Sequence, residues 1–175
     1  MIRRILTVLG AIIAGFAVAA VAAFLVILIG IRTGNRPFIR RFTRLQRDVL
    51  NKGPMQKAGQ PGAPAAVVEH VGRTSGTPYE TPVTVFREGD EWVIALPYGD
   101  QTSWARNVVA AGEAHIRIDG ERHRVAEIEI VPVESTLLAT KSDAAIRLFG
   151  VRHAVRMTRM AESPEALEAT PEPTP

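Results

Sequence analysis

The chain has 175 residues, a net charge of +3 and no cysteine. That length allows one domain of ordinary size with extensions, and the missing thiols exclude disulfides, thiolate metal centres and cysteine nucleophiles. The charge is divided: residues 1–60 carry ten Lys and Arg against the single Asp48, while the remainder holds 11 basic and 17 acidic groups, a pattern that suits lipid headgroups better than nucleic acid, for which no binding motif is present.

Residues 1–4 form a short basic start, and residues 5–31 run without one charged side chain. As a helix this run would span about 40 Å, enough to cross a hydrocarbon core of about 30 Å with some tilt. Ala-x-Ala patterns within residues 17–22 imitate a signal peptide, but the apolar run continues through residues 24–29 and is too long for a signal h-region. An uncleaved transmembrane anchor is expected. Arg32, Arg36, Arg40, Arg41, Arg44 and Arg47 follow it and outnumber Arg3 and Arg4, which predicts a single-pass protein of the cell membrane with its folded domain on the cytoplasmic side.

Residues 32–64 read as a basic amphipathic helix and a linker. The helix is expected over 37–50, with Pro37 in its first turn. Phe38, Phe42, Leu45 and Val49 fall on one stripe, and Arg40, Arg41, Arg44 and Arg47 fill the remainder. Such a helix either lies on anionic lipid or caps the domain with its stripe and leaves the arginines in water. Residues 51–64, with three Gly and three Pro, suit a linker or an ordered loop.

Residues 65–160 then turn to a β pattern. Strands are expected over 65–71, 82–87 and 91–97, with Glu88-Gly89-Asp90 as a tight hairpin turn. Residues 102–111 suit a helix capped by Ser103, with Trp104, Val108 and Ala111 facing inward. Residues 115–119 and 121–131 form a hairpin around Asp119-Gly120; in its second strand Val125, Glu127 and Glu129 alternate with Ala126, Ile128 and Ile130. A helix over 134–149 and a last strand over 151–160 follow, and residues 161–175 are an acidic, Pro-rich tail of the kind that stays disordered. Uneven strands around one core with flanking helices predict a mainly β, α+β fold, a small barrel rather than βαβ units.

Between the first two strands lies V-G-R-T-S-G-T-P-Y-E-T-P-V-T, residues 71–84. A Gly-rich polar loop leaves N–H groups that no ladder has claimed, and Gly72 and Gly76 allow it to fold back on itself. Arg73, Thr74 and Ser75 add a fixed cation and two hydroxyls, a donor set suited to phosphate; spacing alone favours an ordinary hairpin turn. Further on comes L-P-Y-G-D-Q-T-S-W-A-R-N-V-V-A-A-G, residues 96–112. Together, G-R-T-S-G-x-P-x-x-T-P and the later G-x-x-x-x-W-x-x-N-x-x-A resemble the deazaflavin-dependent nitroreductase family, small split β-barrel proteins of the flavin and deazaflavin oxidoreductases that bind coenzyme F420. The resemblance covers roughly residues 67–131.

It implies that Arg73, Thr74, Ser75 and Gly76 hold the anionic end of the coenzyme. Thr81, Pro82, Val83 and Thr84 would line the ring from one strand, Ala95, Pro97, Tyr98 and Gly99 from its neighbour, and Trp104 and Asn107 from the helix. The implied chemistry is hydride transfer to an electron-poor acceptor; the cofactor carries that step, so no general base is required, and Tyr98 is the one phenol near the proposed ring. The chain departs from the common family pattern at Thr74, where a basic residue often stands beside Arg73, and at Tyr79 and Glu80, where Arg often follows Pro78. Lys52, Lys57 and Arg106 are candidate replacement cations, and FMN, haem or a lipid are alternative ligands. After Val131 only Phe149 is aromatic, so the family's substrate-side aromatic residues have no clear counterpart.

An anchored domain meets quinones and other apolar acceptors at high local concentration, so a membrane quinone reductase with nitroaromatic side activity is the expected function. The competing expectation is a non-catalytic barrel that binds a ligand at the membrane. His70, His115, His123 and His153 lack metal-ligand spacing. His115 and His123 are expected as a cross-strand surface pair, and Glu127 and Glu129 as solvent-facing.

Overall fold

The computed structural model describes residues 2–45, 56–140 and 144–161. Helix α1, Ile2–Arg32, is followed by a tight turn and α2, Arg36–Leu45. The Asn35 side chain accepts a hydrogen bond from the Phe38 N–H at 3.0 Å, which caps α2 one residue before Arg36. Residues 46–50 of the expected helix lie outside the described residues. Within α1, residues Thr7–Arg32 are long and apolar enough to cross a membrane, and large side chains such as Phe16 and Val18 are exposed.

Seven antiparallel strands make one curled sheet: β1 Ala66–Val71, β2 Pro78–Val83, β3 Phe86–Glu88, β4 Glu91–Ala95, β5 Glu113–Ile118, β6 Glu121–Pro132 and β7 His153–Arg159. Their order across the sheet is β2-β1-β5-β6-β7-β4-β3. The two edge strands, β2 and β3, are separated in sequence only by residues 84–85. One nearly continuous extended segment therefore pairs with β1 through its first half and with β4 through its second. Since a chain spans at most about 3.6 Å per residue, the two edges are held close and the sheet must curl into a split barrel.

This sharing corrects the expected strand over 82–87. Pairing begins earlier, at Val71↔Pro78, so that Tyr79, Glu80 and Thr81 are strand residues, and it breaks at residues 84–85 where the segment changes partner. Val68, Trp92, Ile94, Ile116, Val125, Val155 and Met157 fill the concave side. Helix α3, Ser103–Ala111, presses Trp104, Ala105 and Val108 into the same core. Ala111, expected to face inward, is exposed, and the helix N-cap is Thr102 rather than Ser103. The Thr102 hydroxyl donates to the Gly99 carbonyl at 2.6 Å, so it closes the preceding turn instead of capping a helix N–H.

The Asp119-Gly120 hairpin is as expected, with both residues at positive φ. Its register places His123 opposite Ile116 and His115 opposite Arg124, so the two histidines point to opposite faces and the expected surface pair does not form. His123 instead meets the Trp92 ring edge-on at 5.1 Å. Alternation in β6 is broken at Glu127, whose φ of 53° marks a bulge where the pairing with β7 shifts between Ala126 and Glu129. The bulge lets Val125 and Ile128 both reach the core while Glu127 and Glu129 stay exposed.

A second, smaller core lies on the other side of β4 and β7. Val93 and Ala154 pack there beneath two short 3-10 turns, Val133–Ser135 and Leu137–Ala139, which replace the start of the helix expected over 134–149. Residues 141–143 lie outside the described residues, and α4, Ala144–Phe149, completes that stretch. Of the stretch read as linker or ordered loop, residues 56–64 are ordered against the β5–β6 hairpin. Gly59 donates to the Ala65 carbonyl and accepts from the Gly120 N–H, both at 2.7 Å, and Ala58 is buried. The tail from residue 162 onward lies outside the described residues.

Candidate functional site

The loop of residues 72–77 joins β1 to β2 and folds back through two backbone bonds: Gly72 N–H to the Thr77 carbonyl and Gly76 N–H to the Gly72 carbonyl, both 2.8 Å. Gly72 is needed because a Cβ there would fall 2.5 Å from Ser75 Oγ and 2.9 Å from the Tyr79 ring. Gly76 is needed for a different reason, its φ of +66°. Among the described residues the N–H groups of Thr74 and Ser75 meet no acceptor, and Arg73, Thr74 and Ser75 are all exposed.

Helix α3 fixes this loop. Asn107 is buried on α3, and its Oδ1 accepts from both the Arg73 backbone N–H at 3.3 Å and Arg73 Nη1 at 2.9 Å. A guanidinium only donates, so the Asn107 amide nitrogen must face the other way, toward His70 Nδ1 at 3.2 Å. That nitrogen accepts, which leaves the imidazole proton on Nε2, 3.1 Å from Thr81 Oγ1. Burial holds the His70 imidazole below its ordinary value and favours this neutral form. The His70 ring also stacks on Tyr79 at 5.7 Å.

Arg73, Asn107 and Thr81 are thus brought into one network, with His70 as the link that sequence reasoning missed. The available signal was positional. His70 continues the inward row of Ala66 and Val68, where a polar side chain calls for a partner from the covering helix.

The remaining candidates divide. Along β2, Thr81 and Val83 share the inward face, where Val83 is a core residue, and Pro82 lies on the opposite face beside Val67. Thr84 is exposed in the link to β3. Ala95 packs into the second core, away from the loop. Pro97, Tyr98 and Gly99 form the turn after β4, closed by the Gly99 N–H on the Leu96 carbonyl at 3.0 Å. Tyr98 meets the Phe42 ring of α2 at 6.1 Å. Trp104 is 9% exposed and belongs to the core.

The departures at Tyr79 and Glu80 have local explanations. Tyr79 stacks on His70, and Glu80 accepts from Arg117 at 3.2 Å beside Glu69, which takes Arg117 at 2.9 Å and Arg122 at 2.8 Å. Glu69, Glu80 and Arg122 of this group line a groove of about 490 Å³ with His70, Val71, Pro78, Tyr79 and His115. Its two carboxylates, Glu69 and Glu80, suit it poorly to an anion. Arg73 with the Thr74 and Ser75 N–H groups fits an anion far better. Arg106, a candidate cation, is exposed on α3 and donates to Gln101 at 3.3 Å; Lys57 is exposed and Lys52 lies outside the described residues.

Comparison with known proteins adds three findings. The family model described as F420H(2)-dependent quinone reductase matches residues 39–141, more than half of the chain and both loops. The curated proteins give no match. Among solved structures, one described as an F420 reductase is 13% identical, with 61% of this chain and 92% of that one covered at a TM-score of 0.40. An F420-H2 dependent reductase, FDR-A, is 13% identical over 54% of this chain and 93% of that one at 0.38. The haem storage protein HutZ from Vibrio cholerae is 12% identical over 64% and 90% at 0.40.

Proposed function

The chain belongs to the F420H(2)-dependent quinone reductase family, and from that premise we propose that it is a membrane-anchored reductase passing hydride from reduced coenzyme F420 to a quinone drawn from the bilayer. The observation that carries the reading is the contact between the two motif loops: Asn107 on α3 holds Arg73 in the turn between β1 and β2. The donor set there, a guanidinium and two N–H groups that meet no acceptor among the described residues, fits the coenzyme's phosphate.

When bound, F420H2 would supply the hydride, and water or a phenol the one proton, needed to reduce a quinone to a hydroquinone. Arg73, Thr74 and Ser75 hold the anionic end, and Asn107 and His70 keep that loop in place. Residues 97–99, with Thr81 of β2, flank the ring, and Tyr98 is the phenol on the acceptor side. Pro82, Thr84 and Ala95 would contribute only through their backbone, and Val83 and Trp104 support the wall from the core. Residues 5–31 cross the membrane, with residues 65–160 as the cytoplasmic cofactor domain. Tethering raises the local concentration of apolar acceptors, which favours quinones over soluble nitroaromatics; the latter are reduced as side substrates.

The test is fluorescence titration of the detergent-purified full chain with F420, followed by quinone reduction with F420H2. A saturable fluorescence change with turnover is expected. Absence of any change at micromolar protein would remove the reading.

A further inference from the structure

Helix α2 has two faces, and only one is in use. Phe38 and Phe42 stack at 6.0 Å with ring planes 6° apart, and Phe42 continues to Tyr98. Phe38 also lies over Gly30, where an added Cβ would clash with its ring. The apolar side of α2 is therefore wedged between the end of the apolar span and the turn carrying Tyr98. Arg36, Arg40 and Arg44 lie on the opposite side and Arg41 on its flank; all four are exposed, and among the described residues none meets a carboxylate. Four like charges on one short helix repel one another unless an anionic surface lies opposite.

We propose that this arginine face docks on anionic phospholipid headgroups of the leaflet from which α1 emerges. The inference rests on the anchored reading above. Its independent support is position: α2 begins four residues after Arg32, and Phe38 ties its first turn to Gly30 inside the span. That places the arginines at headgroup level, where each contributes about fivefold to binding an anionic surface. Because Phe38 and Phe42 already pack within the chain and Leu45 is the one exposed apolar side chain of that stripe among the described residues, docking is mainly electrostatic and salt-sensitive rather than insertion of an amphipathic helix. Headgroup docking holds α2, and through Phe42 holds Tyr98, at a fixed height above the bilayer.

The test uses the full chain in lipid nanodiscs of phosphatidylcholine alone or mixed with phosphatidylglycerol, with amide exchange over residues 36–45 as the readout. Exchange in α2 should slow several-fold in the anionic discs, and the effect should vanish at high salt and in the variant with Arg36, Arg40, Arg41 and Arg44 all changed to Gln. Equal exchange in both discs, or protection that survives in the Gln variant, overturns the proposal while leaving the anchor intact. Protection in neutral discs on adding inorganic phosphate or F420 would assign the arginines to a soluble anion instead, and also overturns it. Failure of the chain to enter either disc overturns the anchored reading itself.

Discussion

Replacing Asn107 by Ala tests whether the tie between helix and loop serves coenzyme binding. The substitution removes two hydrogen bonds from Arg73, one of them charge-assisted at 2.9 Å, and the bond to His70 at 3.2 Å. A charge-assisted bond contributes about 1.5–3 kcal/mol and a neutral one about 0.5–1.5 kcal/mol. Arg73 is exposed and rehydrates when released, so the lower ends apply, whereas half-buried His70 is left with an unmet acceptor. The two Arg73 bonds thus contribute about 2 kcal/mol to holding the loop, which corresponds to roughly 30-fold in the fraction of loop held ready, and the His70 bond adds to the loss of stability. F420 affinity, read by fluorescence titration, should therefore fall about 30-fold, and urea unfolding should show a parallel loss of stability. Asn107→Asp keeps the Oδ1 acceptor that takes both Arg73 bonds and faces His70 with a carboxylate oxygen. It should restore most of the affinity at low pH, where a protonated imidazole can donate. The reasoning fails if Asn107→Ala lowers stability but leaves coenzyme affinity untouched, since Arg73 would then be a turn residue only.

Three further outcomes follow from the same geometry. Gly72→Ala drives a Cβ against Ser75 and the Tyr79 ring and should cost about 1–3 kcal/mol with a matching loss of F420 affinity; Gly76→Ala, with nothing within 4 Å, should cost only the backbone penalty of about 1 kcal/mol. Burial holds His70 low, so as pH falls past about 6.5 the unfolded chain takes up a proton before the folded one, and stability is lost from there until the pH passes below the folded value. His70→Gln should flatten that decline in thermal melts, leaving the slope due to His115, which burial and then Arg122 also hold low. Gly30→Ala should speed amide exchange across α2 by pushing Phe38 away, and a companion Phe38→Ala should relieve the clash.

The parts of the fold written in local chemistry were readable from sequence. The apolar run, the Asp119-Gly120 turn and the short strands rich in Val and aromatic residues each carry their instruction within a few residues. The bulge at Glu127 was not readable, because its cause is pairing with β7, residues distant in sequence. The same holds for Tyr79, Glu80 and Thr81, polar residues read as loop that become strand because β1 lies alongside. At the site, Arg73 and Asn107 were identified through family motifs, and their mutual contact supplies a physical reason for the pairing of those motifs. His70 was passed over because histidines were weighed as metal ligands by spacing, while its role depends on which face of β1 it occupies.

The deeper reason why motifs 34 residues apart meet lies in the strand order. Strands β4 and β5 are consecutive in the chain yet separated in the sheet by β6 and β7, so the connection between them must cross the curl. That connection is α3, which runs from the β4 side back to β1 and β5 and buries Trp104, Ala105 and Val108 on the way. Asn107 lies on the buried side of the same helix and is delivered to the end of β1, where the Arg73 loop begins. The curl is imposed in turn by the segment shared between β2 and β3, which contains Thr81, the last member of the network. A change that lengthens the link at residues 84–85 should therefore loosen the barrel and the site together. The closure of the sheet and the assembly of the Arg73 loop are one structural event, seen from two sides.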